Sequence, residues 1–197
     1  MKNLITLALA IFIAIPSVSS RAQGFYAGFG AGQSSADLET CDLDLSCTSE
    51  DTDTAYKLFA GYRFTPNWAI EAAYLDAGRL SQNGTDTVLG TASANFDVSG
   101  INLAALGIYP VTDRFSLQAK AGLFLWNLDV DVSSSTLGAG SISESGNSPM
   151  LGVGASYGFT ERIGVLVEYE RFIDVGEQDV TGESDVDIFS ASLVFSF

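Results

Sequence analysis

Ser190-Ala191-Ser192-Leu193-Val194-Phe195-Ser196-Phe197 is the stretch whose reading decides the fold. Phe197, Phe195, Leu193, Ala191 and, one step further back, Phe189 share one side of an extended chain. Ser196, Val194, Ser192 and Ser190 share the other. Period-two alternation of this kind is a strand with one apolar and one small, mostly polar face. A strand that ends on bare aromatics suits poorly a terminus facing water, where burial is weakest. It suits a strand whose apolar side faces lipid.

The opposite end of the chain agrees with an exported protein. Met1-Lys2-Asn3 is basic, Leu4 to Ile15 is almost unbroken apolar sequence, and Pro16, Ser17, Ser19, Ser20 and Ala22 follow. This is the layout of a secretory signal peptide, with Ser20-x-Ala22 pointing to cleavage before Gln23. A membrane anchor is the alternative, but the apolar run is too short to span a bilayer comfortably. Residues 1–22 are therefore read as signal peptide and 23–197 as one domain. Without Lys2 and Arg21, seven basic residues face 24 acidic ones, a net charge near −17. Such a chain lacks the basic surface that nucleic-acid binding requires. Cys41 and Cys47 sit close together in an acidic stretch, which in an exported chain reads as a loop disulfide, two free thiols being the alternative. Two cysteines without any histidine make a poor zinc site.

Working back from the closing strand, the same alternation recurs in seven more segments. They fall at Phe25 to Gln33, Thr54 to Phe64, Trp68 to Gly78, within Ala92 to Tyr109, and then Arg114 to Val130, Pro149 to Phe159 and Ile163 to Ile173. The alternation is least clear between Leu103 and Ile108. Three short turns, at Pro66, Pro110 to Asp113 and Thr160 to Arg162, alternate with four long loops: Asp37 to Asp53, Leu80 to Thr91, Ser133 to Asn147 and Asp174 to Asp185. Aromatics gather beside the short turns: Tyr62, Phe64, Trp68, Tyr109, Phe115, Tyr157 and Phe159, with Phe195 and Phe197. The expected fold is an all-β, eight-stranded antiparallel up-and-down transmembrane β-barrel with an interfacial aromatic girdle.

A soluble barrel also alternates, with its apolar side inward. The content of the second face decides between them. Lys57, Arg63, Glu71, Lys120, Glu168 and Glu170 lie there among glycines and serines, three charges of each sign. An eight-stranded barrel leaves room only for side chains inside, and buried charges must find partners. These six are expected to form a network that plugs and rigidifies the barrel. A gated polar path, opened when an ion pair exchanges partners, is the alternative.

Phe25-Tyr26-Ala27-Gly28, Ala60-Gly61-Tyr62-Arg63-Phe64, Leu151-Gly152-Val153-Gly154-Ala155-Ser156-Tyr157-Gly158 and terminal Phe197 give the mature chain its resemblance to the small outer-membrane barrels of Gram-negative bacteria. That group includes OmpX, Ail and the barrel domain of OmpA, with OmpW-like proteins as neighbours. The resemblance implies location in the bacterial outer membrane and recognition of Phe197 by the barrel-insertion machinery. OmpA's peptidoglycan-binding domain has no counterpart in the sequence, so that anchoring role is not carried over.

Three functional classes remain to be weighed. An enzyme is not expected, since no histidine exists to act as base and Glu168 and Glu170 are accounted for inside the barrel. A narrow pore for ions or small solutes is the runner-up. A structural or surface-interaction protein is favoured, monomeric and surrounded by outer-membrane lipids and lipopolysaccharide. Its loops carry Asp37, Glu39, Asp42, Asp44, Glu50, Asp51, Asp53, Asp174, Glu177, Asp179, Glu183 and Asp185. Divalent cations could bridge them, although Asp42-x-Asp44…Asp51-x-Asp53 is not an EF-hand pattern and hydrated loops are the simpler reading. No cofactor is implied.

Overall fold

The computed structural model describes residues 23–36, 47–50, 52–86, 90–134, 138–176 and 184–197. Nine strands fill them: β1 (Gly24–Ala36), β2 (Cys47–Glu50), β3 (Thr52–Thr65), β4 (Trp68–Asp86), β5 (Gly90–Pro110), β6 (Phe115–Ser134), β7 (Gly138–Gly158), β8 (Ile163–Val175) and β9 (Ser184–Ser196). Eight of them close into a ring in the order β1-β3-β4-β5-β6-β7-β8-β9, with β9 returning to β1, every pairing antiparallel. Closure leaves no open edge within the ring, which is what hydrocarbon demands of a β-structure. At the seam the Phe197 amide donates to the Phe25 carbonyl at 3.0 Å.

The short turns are built alike. Thr112 Oγ1 accepts from the amides of Arg114 and Phe115, at 3.3 and 2.9 Å. Thr160 Oγ1 accepts from those of Arg162 and Ile163, at 3.2 and 2.9 Å. Val111-Thr112-Asp113-Arg114 and Phe159-Thr160-Glu161-Arg162 thus fold as one motif, a threonine hydroxyl holding backbone donors that no strand partner can take.

Outside the barrel lies a continuous apolar band. Phe29, Leu58, Ile70, Leu103, Leu123, Leu151 and Leu193 all point outward and stay exposed. An apolar surface encircling the molecule has no counterpart on water-soluble monomers. One aromatic girdle runs along the short-turn rim, where Phe25 packs on Tyr62 with centroids 4.8 Å apart and Tyr157 on Phe159 at 5.6 Å. A second girdle, which the sequence reading did not separate, runs along the other rim: Tyr56, Tyr74, Tyr169 and Phe189. Directly beyond it the first polar outward residues of the eight staves are Gln33, Thr54, Asp76, Ser99, Asn127, Asn147, Arg171 and Asp187. Gln33 pairs with Thr54, Asp76 with Ser99, Ser99 with Asn127 and Arg171 with Asp187. They mark a level edge to the band.

Two expectations need correction. Leu80 to Thr91 and Ser133 to Asn147 are not loops through most of their length: β4 and β5 pair up to Asp86 and Gly90, and β6 and β7 up to Ser134 and Gly138. Ser, Gly and Asn composition suggested irregular chain, but a register fixed inside the membrane propagates outward and lets each backbone satisfy its neighbour. Within the acidic stretch, β2 adds a short strand that pairs with Ser81–Gly84 of β4.

The second correction concerns the interior. Past the outer edge of the band, the chemistry of the two faces inverts while their directions do not. On β6, Leu123 and Leu125 point out to lipid, then Asn127, Asp129 and Asp131 point out while Trp126, Leu128 and Val130 turn into a core. On β5, Ile101 and Leu103 are outward below the edge, and Val98 is inward above it. Phe172, Val175, Val186 and Ile188 repeat the switch on β8 and β9. The staves thus continue as an extension with a polar exterior and an apolar interior, like a soluble barrel. The blurred alternation near Leu103 has a related cause: Ala104, Leu106 and Ile108 face inward and are buried too, so both faces there are apolar.

Candidate functional site: a charged layer inside the barrel

Inward positions on five staves meet at one level of the lumen. Lys57 on β3 reaches across to β8, where its Nζ bonds Glu168 Oε2 and lies 2.7 Å from Glu170 Oε2. Lys120 on β6 sits among three carboxylates: Glu168 Oε1 at 2.5 Å, Glu71 Oε1 at 3.1 Å and Glu170 Oε1 at 3.2 Å. All five side chains are buried. The Tyr26 hydroxyl donates to Glu71 Oε2 at 3.0 Å and Gln118 Nε2 to Glu168 Oε1 at 2.9 Å. An ion removed from water costs several kcal/mol unless geometry and further hydrogen bonds compensate, and here both ammoniums have more than one carboxylate.

Small residues in register on the neighbouring strands make this possible. A Cβ on Gly61 would stand 2.3 Å from Tyr26 Cζ, and one on Gly152 would stand 2.8 Å from Lys120 Cγ. Each glycine is the space in which the opposing side chain lies. Period-two alternation puts these residues on the inner face; closure of the ring sets which ones touch.

Arg63 lies apart from the layer. It faces inward near the short-turn rim, paired in register with Gly24 and Ala69, and its buried Nε has no hydrogen-bond partner among the described residues. Of the six inward charges read from sequence, five are brought together and Arg63 is not. Tyr26 and Gln118, both on inward faces, join the layer without having been singled out; their inward parity was the available signal.

The remaining expected sites are only partly covered. Cys41, Asp37, Glu39, Asp42, Asp44, Asp51, Glu177, Asp179 and Glu183 lie outside the described residues, as do the side chains of Cys47 and Glu50. The described acidic residues hold backbone. Asp53 Oδ2 accepts from the Arg79 amide at 2.5 Å, and Asp185 Oδ1 from the Asp174 amide at 3.2 Å. Among the described residues no group of three or more acidic, cysteine or histidine side chains is placed to hold a metal ion. On the outer wall, Arg171 grips Asp187 with two bonds of 2.7 Å, and Arg79 bonds Asp97 at 2.9 and 3.1 Å.

Comparison with known proteins follows the same lines. The model of the OmpA-like transmembrane domain matches residues 20–197. Outer membrane protein A of Shigella dysenteriae is 24% identical over 179 residues, which is 90% of this chain and 49% of that protein. The chain thus spans about half the length of this curated relative. Among solved structures, Neisserial surface protein A superposes with a TM-score of 0.59 at 19% identity, covering 89% of this chain and 99% of that one. Ail of Yersinia pestis, solved with the heparin analogue sucrose octasulfate, gives 0.57 at 16% identity with the same coverage. At such identities the two structures speak for the fold alone, and the family match carries the rest. This chain belongs to the OmpA-like transmembrane domain family and is an outer-membrane β-barrel protein.

Proposed function

We propose that the protein is a closed, non-conducting barrel whose task lies at the cell surface, where its prolonged strands stand beyond the lipid. The observation that carries this reading is the buried layer of Lys57, Lys120, Glu71, Glu168 and Glu170, which links opposite walls of a lumen already narrow for its strand number. In this reading the layer is a plug and a brace. The short-turn rim is periplasmic, and residues 1–22 are a signal peptide removed on export. Phe197 at the seam is what the insertion machinery reads, and Cys41 and Cys47 close a disulfide in the first outer connection.

Surface chemistry narrows the partner. On the side of the band away from the short turns the only basic residues of the mature sequence are Arg79 and Arg171, each already bound to an aspartate. A polyanion such as the sulfated sugar bound to Ail has little to hold here. A neutral or cationic partner suits the acidic exterior, and divalent cations would ease its contact with anionic lipopolysaccharide. A monomer embedded in outer-membrane lipid needs no nucleic acid or cofactor. Planar-bilayer recording of the purified, folded protein tests the closed state: baseline current is expected, and discrete channel events would refute it.

A further inference from the structure

We infer that the barrel is sealed to the outside by an apolar septum above the charged layer, so that the layer communicates with the periplasm alone. The inference rests on the orientation and closed state proposed above and assigns the seal to different residues. One or two inward steps beyond each charge the lumen turns apolar: Ala55 after Lys57, Leu75 after Glu71, Phe124 after Lys120, Phe172 after Glu170. Phe124 of β6 and Phe172 of β8 meet over β7 with centroids 4.6 Å apart, tilted by 54°. Met150 and Ile188, each 1% exposed, pack at the same level, where the buried polar side chains are Asn102, in register with Phe124, and Ser34, in register with Ile188. Above it Trp126 is fixed by its Nε1–H on Ser148 Oγ at 2.9 Å, and Ser148 donates to the Asp174 carbonyl at 2.7 Å.

The two ends of the lumen therefore differ. Toward the short turns Ser116, Gln118 and Ser156 are only partly buried, and the two serine hydroxyls share a 2.7 Å hydrogen bond. Gln118 bonds Glu168 Oε1 at 2.9 Å, so on this side one partly buried polar side chain stands between solvent and the charged layer. From the other side an ion that has passed Glu144, on the inner face of β7 in register with Leu128, would have to cross the closely packed Phe124, Phe172, Met150 and Ile188, where no charged side chain among the described residues replaces its hydration, the condition under which apolar constrictions block conduction. Exchange of ion-pair partners can rearrange the layer without opening this barrier.

The test compares variants of the full protein in planar bilayers, with heat-modifiable gel mobility reporting folding. One set neutralises the layer: Lys57→Met, Lys120→Met, Glu71→Gln, Glu168→Gln and Glu170→Gln together. The second adds Phe124→Ala and Phe172→Ala. Baseline current in the first set and channel events in the second are expected. Current from the neutralised set, or none from the combined set, overturns the septum. Current from the wild-type protein would instead overturn the closed state itself. A labelling measurement serves where a combined set does not fold. In a Cys41→Ser, Cys47→Ser background, Gln118→Cys should react with a membrane-impermeant methanethiosulfonate added at the periplasmic face and at least tenfold more slowly from the outer face. Equal rates from both faces overturn the inference.

Discussion

Replacing Lys120 by methionine isolates the energetic role of the charged layer. Its Nζ is within 3.2 Å of oxygens from Glu71, Glu168 and Glu170. Methionine keeps most of the side-chain volume above Gly152 but leaves three buried carboxylates with Lys57 as the one ammonium among them. Glu168 and Glu170 still have Lys57, whereas Glu71 retains only the Tyr26 hydroxyl. Removing one partner of a buried ion pair costs about 3–5 kcal/mol, and with one carboxylate stripped of its cation Lys120→Met belongs near the upper half of that range. Neutralising all five charges should bring stability back to within about 2 kcal/mol of the wild type or above it, because a buried ionic cluster and a packed neutral one are close in free energy. Urea unfolding in phospholipid vesicles measures both. Trp68, on the lipid face, and Trp126, in the core, report on membrane and lumen separately. A Lys120→Met cost below about 1 kcal/mol, or an all-neutral variant as damaged as the single one, would refute the reasoning.

Two further outcomes follow from the outer wall. Ala60 lies halfway between Tyr56 and Phe64 on the lipid face of β3, and Thr54 lies just beyond the upper girdle. Ala60→Arg should cost about 2–4 kcal/mol and Thr54→Arg about 0–1; equal costs in the same vesicle titration would misplace the edge of the band. The hydrogen bonds from Arg171 hold the Asp187 carboxyl below its ordinary value of 3.8. A depressed folded value means stability present above 3.8 and lost as pH falls through the folded value. Asp187→Asn should flatten that acid limb, weakly and less at high salt because the pair is partly exposed; an unchanged limb would assign it to other groups.

Much of the barrel was legible because lipid imposes one chemistry on every outward residue, so parity alone separates Tyr56, Leu58 and Ala60 from Lys57 and Phe59. The ends of the strands were not. Ser, Gly and Asn in Leu80 to Thr91 carry no signal that distinguishes a paired hairpin from an irregular loop, since beyond the membrane either state can satisfy its backbone. The partners of the charges were hidden for another reason: Lys57 and Glu168 are 111 residues apart, and their meeting depends on how the ring closes. The inversion above the band was in view in Trp126-Asn127-Leu128-Asp129-Val130-Asp131, where the apolar parity changes from odd to even. Read for one solvent only, that run blurs; read for lipid and then water, it gives the depth of the chain in the membrane.

The seam between Phe25 and Phe197 also governs how the barrel can be made. Its two strands pair Tyr26 with Ser196 and Ala27 with Phe195, so this ladder joins the first strand of the ring to the last. Until it zips, the growing sheet carries two raw edges, and each unsatisfied amide or carbonyl in hydrocarbon costs several kcal/mol. A half-assembled barrel therefore has no resting place in the bilayer. Assembly has to be all-or-none in lipid or be chaperoned edge by edge, and hydrogen exchange at Phe25 and Ala27, whose amides face β9, should slow only when the whole ring is complete.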